Sequence, residues 1–131
     1  MKKLYKSVLL TLLFSFSIVL VKAQALEDVV NYVRNGDIGS MAKSFDDIIT
    51  ITMNSNQSAY SKSQAEMVLK DFFSKNLVKE FVVIQNGTAP NKNSRYAIGN
   101  LTTSTGSFQL YILLKLKDNA FVLHEIRFEK P

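Results

Sequence analysis

The sequence FQLYILLKLK, residues 108–117, decides the fold, because every even position in it is apolar. These even positions alternate with Gln109, Tyr111, Leu113, Lys115 and Lys117. A period of two is the pattern of a β-strand that turns one face to a core. Turn residues flank the stretch, with Ser104-Thr105-Gly106 before it and Asp118-Asn119 after it. We therefore predict a strand here with a tight turn on each side.

Strand patterns also occur on both sides of this stretch. Residues 48–53 are rich in β-branched side chains, and residues 81–85 and 95–103 repeat that character. In residues 121–129, strict alternation would place one set of side chains on a single face: Val122, His124, Ile126 and Phe128. Asn54 to Ser58 is polar and is predicted as a turn.

Helical periodicity dominates the chain before residue 76. One apolar stripe, at spacings i, i+3, i+4 and i+7, is formed by Leu26, Val29, Val30 and Val33. Gly36 is predicted to end that helix and Asp37 to cap a second, whose stripe is Ile38, Met41, Ala42 and Phe45. A capping box of Ser63 and Glu66 predicts a third helix, with Phe72 and Phe73 on its buried side and an end near Lys75.

The element order is thus α-α-β-α-β-β-β-β. It predicts an α+β domain in which a curved antiparallel sheet of 4–5 strands is packed by a helix pair and one longer helix. A sheet covered by helices in this way can enclose a cone-shaped cavity.

Residues 1–25 have the layout of a secretory signal peptide. They contain a lysine-rich start, an apolar run of 14 residues over 8–21, and small residues at Ala23 and Ala25. The run is shorter than the roughly 20 residues that a transmembrane helix needs. We predict cleavage after Ala23 or Ala25 and export of a single domain, residues 24–131, to the periplasm or the medium.

Charge and cysteine content exclude several classes of protein. Four of the 16 basic residues lie in residues 1–23, so the remaining 12 face 11 acidic residues and the net charge of the domain is +1. No basic surface remains to suggest binding of nucleic acid or anionic lipid. Without a second apolar span, insertion into a membrane after cleavage is not expected. With no cysteine and one histidine, disulfides, lipid anchors on cysteine and zinc sites are not expected. No metal, cofactor or catalytic motif is predicted.

A family resemblance is carried by segments across the whole domain: Gly36-Asp37, Phe45-Asp46-Asp47, 60–66, Asp71-Phe72-Phe73, 98–103, Gly106-Ser107-Phe108, 111–115 and 124–127. Together they resemble the exported bacterial family called domain of unknown function 4783, within the nuclear-transport-factor-2-like (cystatin-like) superfamily. The resemblance implies the helix-covered sheet. It carries no activity and no catalytic residue.

The candidate ligand-binding residues are His124, Tyr96, Tyr111 and Arg127. The histidine could act as a general base in a cavity or be hydrogen-bonded at the edge of the core, and the structural role is the favoured interpretation. Tyr96 and Tyr111 could line a pocket with charge from Arg127 or Arg95, although tyrosines on sheets commonly serve packing. The pair Asp46-Asp47 is predicted to be solvated.

Two functions follow. The preferred hypothesis is a non-catalytic exported domain that binds a small apolar ligand or a protein partner, including a second copy through the sheet. The alternative is a cavity enzyme of isomerase or dehydratase type that uses His124 with Tyr111 or Tyr96, as the superfamily resemblance implies. An open pocket with His124 beside a buried carboxylate would favour the enzyme.

Overall fold

Three helices and six strands follow one another in residues 24–131, the part of the chain that the computed structural model describes. The predicted signal peptide at residues 1–23 lies outside this part. The elements are α1 (24–35), α2 (Ile38–Ala42), β1 (Phe45–Met53), β2 (Asn56–Ser61), α3 (Lys62–Lys75), β3 (Val78–Thr88), β4 (Ser94–Thr103), β5 (Gly106–Lys117) and β6 (Ala120–Glu129).

The strands form one sheet in the order β2-β1-β6-β5-β4-β3. Neighbours are antiparallel except for β1 and β6, which run parallel. The predicted α+β class with helices packed on a sheet is confirmed. The predicted antiparallel sheet has six strands and not 4–5, and one of its five neighbouring pairs, β1 with β6, is parallel. Since β1 and β6 are far apart in sequence, no local pattern fixed their relative direction.

The missed strand is β2, at the edge of the sheet. A turn at Asn54-Ser55, where both residues have positive φ, sends the chain back to pair with β1. Most of β2 is exposed, so it lacks the apolar alternation that identifies a half-buried strand. The N-cap of α3 is therefore Ser61, whose hydroxyl accepts from the Gln64 N–H, and not Ser63. Likewise, Phe45 begins β1 and does not extend the stripe of α2.

The core lies between the helices and one face of the sheet. The even positions of β5 from Phe108 to Leu114 are buried, as predicted. Val33 of α1 and Leu69 of α3 are buried against this face. Four rings, those of Phe72, Phe73, Phe108 and Phe128, pack at one end of it, with centroid separations of 4.3 to 6.5 Å. This end of the predicted cone is filled.

Strand β6 is irregular at His124. Leu113 pairs with Glu125 but Leu114 pairs with Leu123, so His124 has no partner on β5. This β-bulge lets Leu123 and Ile126 both be buried, although they are three positions apart. The prediction that His124 shares a face with Ile126 and Phe128 is wrong, because the strict alternation on which it rested stops at the bulge.

Within residues 24–131, no helix combines the length and the apolarity that crossing a membrane would require.

We expect Gly99→Ala to lower the free energy of unfolding by about 1–3 kcal/mol, because it overpacks the core. A Cβ at Gly99 would lie 2.5 Å from the Phe81 ring and 2.7 Å from the Val82 carbonyl oxygen. Gly39→Ala is the matched control, since its Cβ would meet nothing nearer than 3.9 Å. Urea denaturation measures both variants, and equal stability of the two would contradict the close contact at Gly99.

Candidate functional site

A cavity of about 370 Å³ opens between α1 and strands β3 and β4. Helix α1 contributes Leu26 and Val30 to its apolar wall. The strands contribute Val83 and Ala97 opposite them. These residues continue the core face of the sheet, so the cavity is the unfilled part of the cone. The filled end is built by α3, β5 and β6, whereas this open end lies over β3 and β4.

Arg95 brings a positive charge to the wall of the cavity. It pairs with Leu114 on β5 and so faces the core side of the sheet. Its guanidinium carbon lies 4.9 Å from the centre of the Phe121 ring, a cation–π contact. Its Nε is buried and has no hydrogen-bond partner within residues 24–131. Among the described residues, no carboxylate forms an ion pair with it.

Arg34 and Glu27 complete the charged lining. The Arg34 side chain is already engaged, since its Nε donates to the Phe81 carbonyl at 3.1 Å and its Nη1 to the Asn31 side-chain oxygen at 3.1 Å. Asn86 and Thr88 add neutral polar groups from β3. The lining therefore holds two cations and one anion. Of the two arginines, only Arg95 lacks a hydrogen-bond partner among the described residues.

Three of the residues predicted as ligand contacts lie together on the opposite face of the sheet. The rings of Tyr96 and Tyr111 stack with centroids 6.3 Å apart. Arg127 lies over the Tyr111 ring at 5.1 Å and donates to Glu125 at 2.6 Å. Burial raises the pKa of Tyr111, and the negative charge of Glu125 adds to that effect. None of these side chains lines the cavity.

His124 lies apart from that group, beside a carboxylate. Its Nδ1 is 3.1 Å from Asp46 Oδ2, and the Asp46 side chain is 16% exposed. Residues 46–49 of β1 have no partners on β6, so the chain departs from regular pairing where Asp46 meets the bulge at His124. Two irregularities in neighbouring strands thus bring together residues that are 78 positions apart in sequence.

Lys117 also contacts Asp46. The Lys117 ammonium donates to Asp46 at 3.0 Å and to Asp47 at 2.9 Å. Burial alone would raise the pKa of Asp46, but the hydrogen bonds from Lys117, His124 and the Asp47 N–H outweigh it and lower the pKa from 3.8 to about 2. The hydrogen bonds that Lys117 donates to Asp47 and Asp46 raise the pKa of Lys117. The Asp47 side chain is 72% exposed, so of the acidic pair only Asp47 fits the predicted solvated role.

The ionised Asp46 can only accept, so His124 donates through Nδ1–H. In the neutral form of the ring this leaves Nε2 as the hydrogen-bond acceptor, an arrangement able to take up a proton. No hydrogen bond joins His124 to Tyr96 or Tyr111 in the described part of the chain. The Tyr96 hydroxyl instead accepts from Gln85 Nε2 at 2.9 Å.

Sequence reasoning named most of these residues but did not group them correctly. Arg95 was considered only as a source of charge for a pocket with Tyr96 and Tyr111. It lies one residue from Tyr96, and the alternation of a strand puts the two on opposite faces. The sequence contained the pattern that places Arg95 on the core face, because the apolar residues Ala97 and Leu101 follow it at even spacing. In the structure both are buried. No cluster of residues able to hold a metal occurs among residues 24–131.

Residues 26–129 match the family described as Domain of unknown function (DUF4783). The chain belongs to this family. A DUF4783 protein from Bacteroides uniformis ATCC 8492 is similar in structure, with a TM-score of 0.77 and 26% identity over 82% of this chain and 97% of that one. A DUF4783 protein from Bacteroides ovatus ATCC 8483 gives a TM-score of 0.75 and 27% identity over 79% and 92%.

More distant structures share the fold alone. An NTF-2 like protein of unknown function from Shewanella oneidensis MR-1 has a TM-score of 0.61 at 11% identity, over 82% of this chain and 95% of that one. No curated protein sequence matches the chain. Membership of the DUF4783 family and the NTF2-like fold are therefore established, and no activity comes with either.

We expect Asp46→Asn to lower the free energy of unfolding by about 1 kcal/mol at pH 7, through loss of its charged hydrogen bonds. The folded-state pKa of Asp46 lies below its ordinary value, so its pairing stabilises the fold above about pH 4 and is lost as the pH falls toward 2. Thermal unfolding at pH 7, 4 and 2 should show the difference from the unaltered protein fading at the lowest pH.

Asp47→Asn is the control for that series, because it removes the same charge from an exposed neighbour. It should destabilise less than Asp46→Asn at pH 7. An equal loss from both would mean that Lys117, and not the contact with His124, determines the effect.

Proposed function

We propose that this DUF4783 protein is an exported, non-catalytic domain that binds a small molecule in the cavity between α1 and strands β3 and β4. The observation that carries the proposal is the cavity itself, which is about 370 Å³ and combines an apolar wall from α1 and the strands with charged and polar side chains. Pockets for small ligands span roughly 300–1,000 Å³. The layout of residues 1–25 supports export.

Binding without catalysis fits the distribution of reactive groups. A cavity enzyme needs a base and an orienting partner within reach of the bound molecule. The lining residues include Glu27, Arg34 and Arg95, but neither His124 nor Asp46 is among them. The His124–Asp46 pair and the space that could hold a ligand are therefore separate.

A second depression, of about 400 Å³, lies beside α2 and α3 and is lined in part by Gly36, Lys70 and Phe73. It is more open to solvent than the cavity at Arg95. Shallow surfaces exclude less water from a bound molecule, so the cavity is the better ligand site.

We expect Val83→Trp to abolish binding of a neutral apolar probe, 1-octanol, because the indole fills the cavity. Val82→Trp is the matched control on the same strand, since Val82 is 45% exposed and does not line the cavity. Amide chemical-shift changes on titration of the purified protein measure binding, and circular dichroism checks the fold. Octanol shifts that survive in the folded Val83→Trp variant, or that map to the outer sheet face, would contradict the proposal.

The alternative function is an enzyme centred on His124, and the 3.1 Å contact between His124 and Asp46 favours it. A carboxylate that holds one imidazole nitrogen orients the other for proton transfer. The His124 side chain is 32% exposed, so a substrate would approach it from outside the cavity. This differs from the isomerase or dehydratase arrangement, in which the base and a tyrosine share the pocket.

Under the proposed function, His124→Ala should lower the free energy of unfolding by about 1 kcal/mol, the usual cost of one hydrogen bond. Octanol binding in the cavity should be unchanged. The measurement is the same titration together with thermal unfolding. A variant that keeps its thermal stability but loses ligand binding would instead assign His124 a functional role.

A further inference from the structure

We infer that the cavity selects a small amphipathic anion, whose carboxylate is bound by Arg95 and whose apolar chain lies against α1 and β3. The inference rests on the proposed function, since it assigns the chemical class of the molecule that the cavity would bind. Two features carry it: an unpartnered guanidinium in the wall, and an apolar surface continuous with it.

The first feature is the incomplete hydrogen bonding of Arg95. Among the described residues its Nε is buried without a partner, although a buried donor without an acceptor is costly and uncommon in folded proteins. No described carboxylate lies within ion-pair distance of the guanidinium. An oxyanion in the cavity would supply the missing charge and would accept from the terminal nitrogens of the guanidinium, because Nε itself is closed to solvent.

The guanidinium of Arg95 is also positioned by Phe121. The contact of 4.9 Å between the guanidinium carbon and the ring holds the side chain against the sheet, so less conformational freedom is lost when it binds a ligand. A guanidinium fork matches the two oxygens of a carboxylate and can donate two parallel hydrogen bonds to them. A single arginine therefore suffices for a carboxylate head group.

The other charged lining residues do not satisfy Arg95. Arg34 is held by the Phe81 carbonyl and by Asn31, and it adds a second positive charge to the lining. Glu27 is exposed on α1 and forms no ion pair with either arginine. The excess of positive charge favours an anion over a neutral or cationic ligand.

The remaining walls are suited to an apolar chain. Leu26 and Val30 on α1 face Val83 and Ala97 on the strands. With a volume of about 370 Å³, the cavity admits a short chain and excludes a bulky lipid. A medium-length carboxylate combines the two chemistries, because its head matches Arg95 and its tail matches the apolar walls.

The test compares sodium octanoate with 1-octanol, which has the same chain length but no charge. Both are titrated into the purified protein and followed by amide chemical shifts and calorimetry. Burying a carboxylate is unfavourable unless it is paired, so tighter binding of octanoate requires a cation in the cavity. We expect octanoate to bind at least about tenfold more tightly than octanol.

Arg95→Gln should weaken octanoate binding about tenfold or more and change octanol binding less than about twofold. Arg95→Lys keeps the charge without the fork and should give an intermediate loss, which protects the test if the Gln variant folds poorly. Lys115→Gln removes an exposed positive charge on the other face of the sheet and should leave both affinities unchanged.

The outcomes separate the two proposals. If octanol and octanoate bind the cavity equally, and Arg95→Gln changes neither, the anion inference is overturned while the proposed ligand-binding function stands. If neither probe shifts the cavity amides, both are overturned. Lys115→Gln could also reduce the preference for octanoate as much as Arg95→Gln does. The preference would then come from the net charge of the protein, and the role of Arg95 would be overturned.

Discussion

Burial of one face of β5 against the helices is the interaction on which the other elements depend. Leu110, Ile112 and Leu114 are almost completely removed from water, and strands β4 and β6 are paired with this strand along its length. The helices cover that face unevenly. Four phenylalanine rings fill the end near Phe108, whereas the end near Arg95 is left with a cavity. The same packing that stabilises the sheet thus determines where a ligand can enter.

The bulge at His124 separates the two sites of chemical interest. Without it, β6 would alternate regularly, and His124 would share the core face with Ile126 and Phe128. With it, the imidazole contacts Asp46, which also accepts from Lys117 at the end of β5, outside the cavity. These hydrogen bonds join β1 to β5 and β6, and Arg95 stays in the lining of the cavity. One additional residue in a strand thus keeps the His124–Asp46 pair apart from the cavity.

Local patterns predicted the elements well, and pairing between distant strands less well. Alternation identified β5, and the stripe of α1 with Gly36 and the cap at Asp37 were confirmed. The polar edge strand β2 had no such pattern, and the parallel contact of β1 with β6 depends on residues far apart in sequence. The site residues were named individually, but alternation alone assigned His124 to the wrong face. The contact between His124 and Asp46 needs two irregularities that no periodicity encodes.

The position of β6 also has a kinetic consequence. It follows every other strand along the chain, yet it lies between β1 and β5 in the sheet. Strands β3, β4 and β5 are consecutive in sequence and can pair through the short connections between them. The hairpin of β1 and β2 joins them only through β6. Closing such a distant contact is entropically slow. Until the end of the chain arrives, the early hairpin has an unpaired edge, so a chain that emerges from its N-terminal end would be most vulnerable to aggregation and proteolysis just before β6 is added.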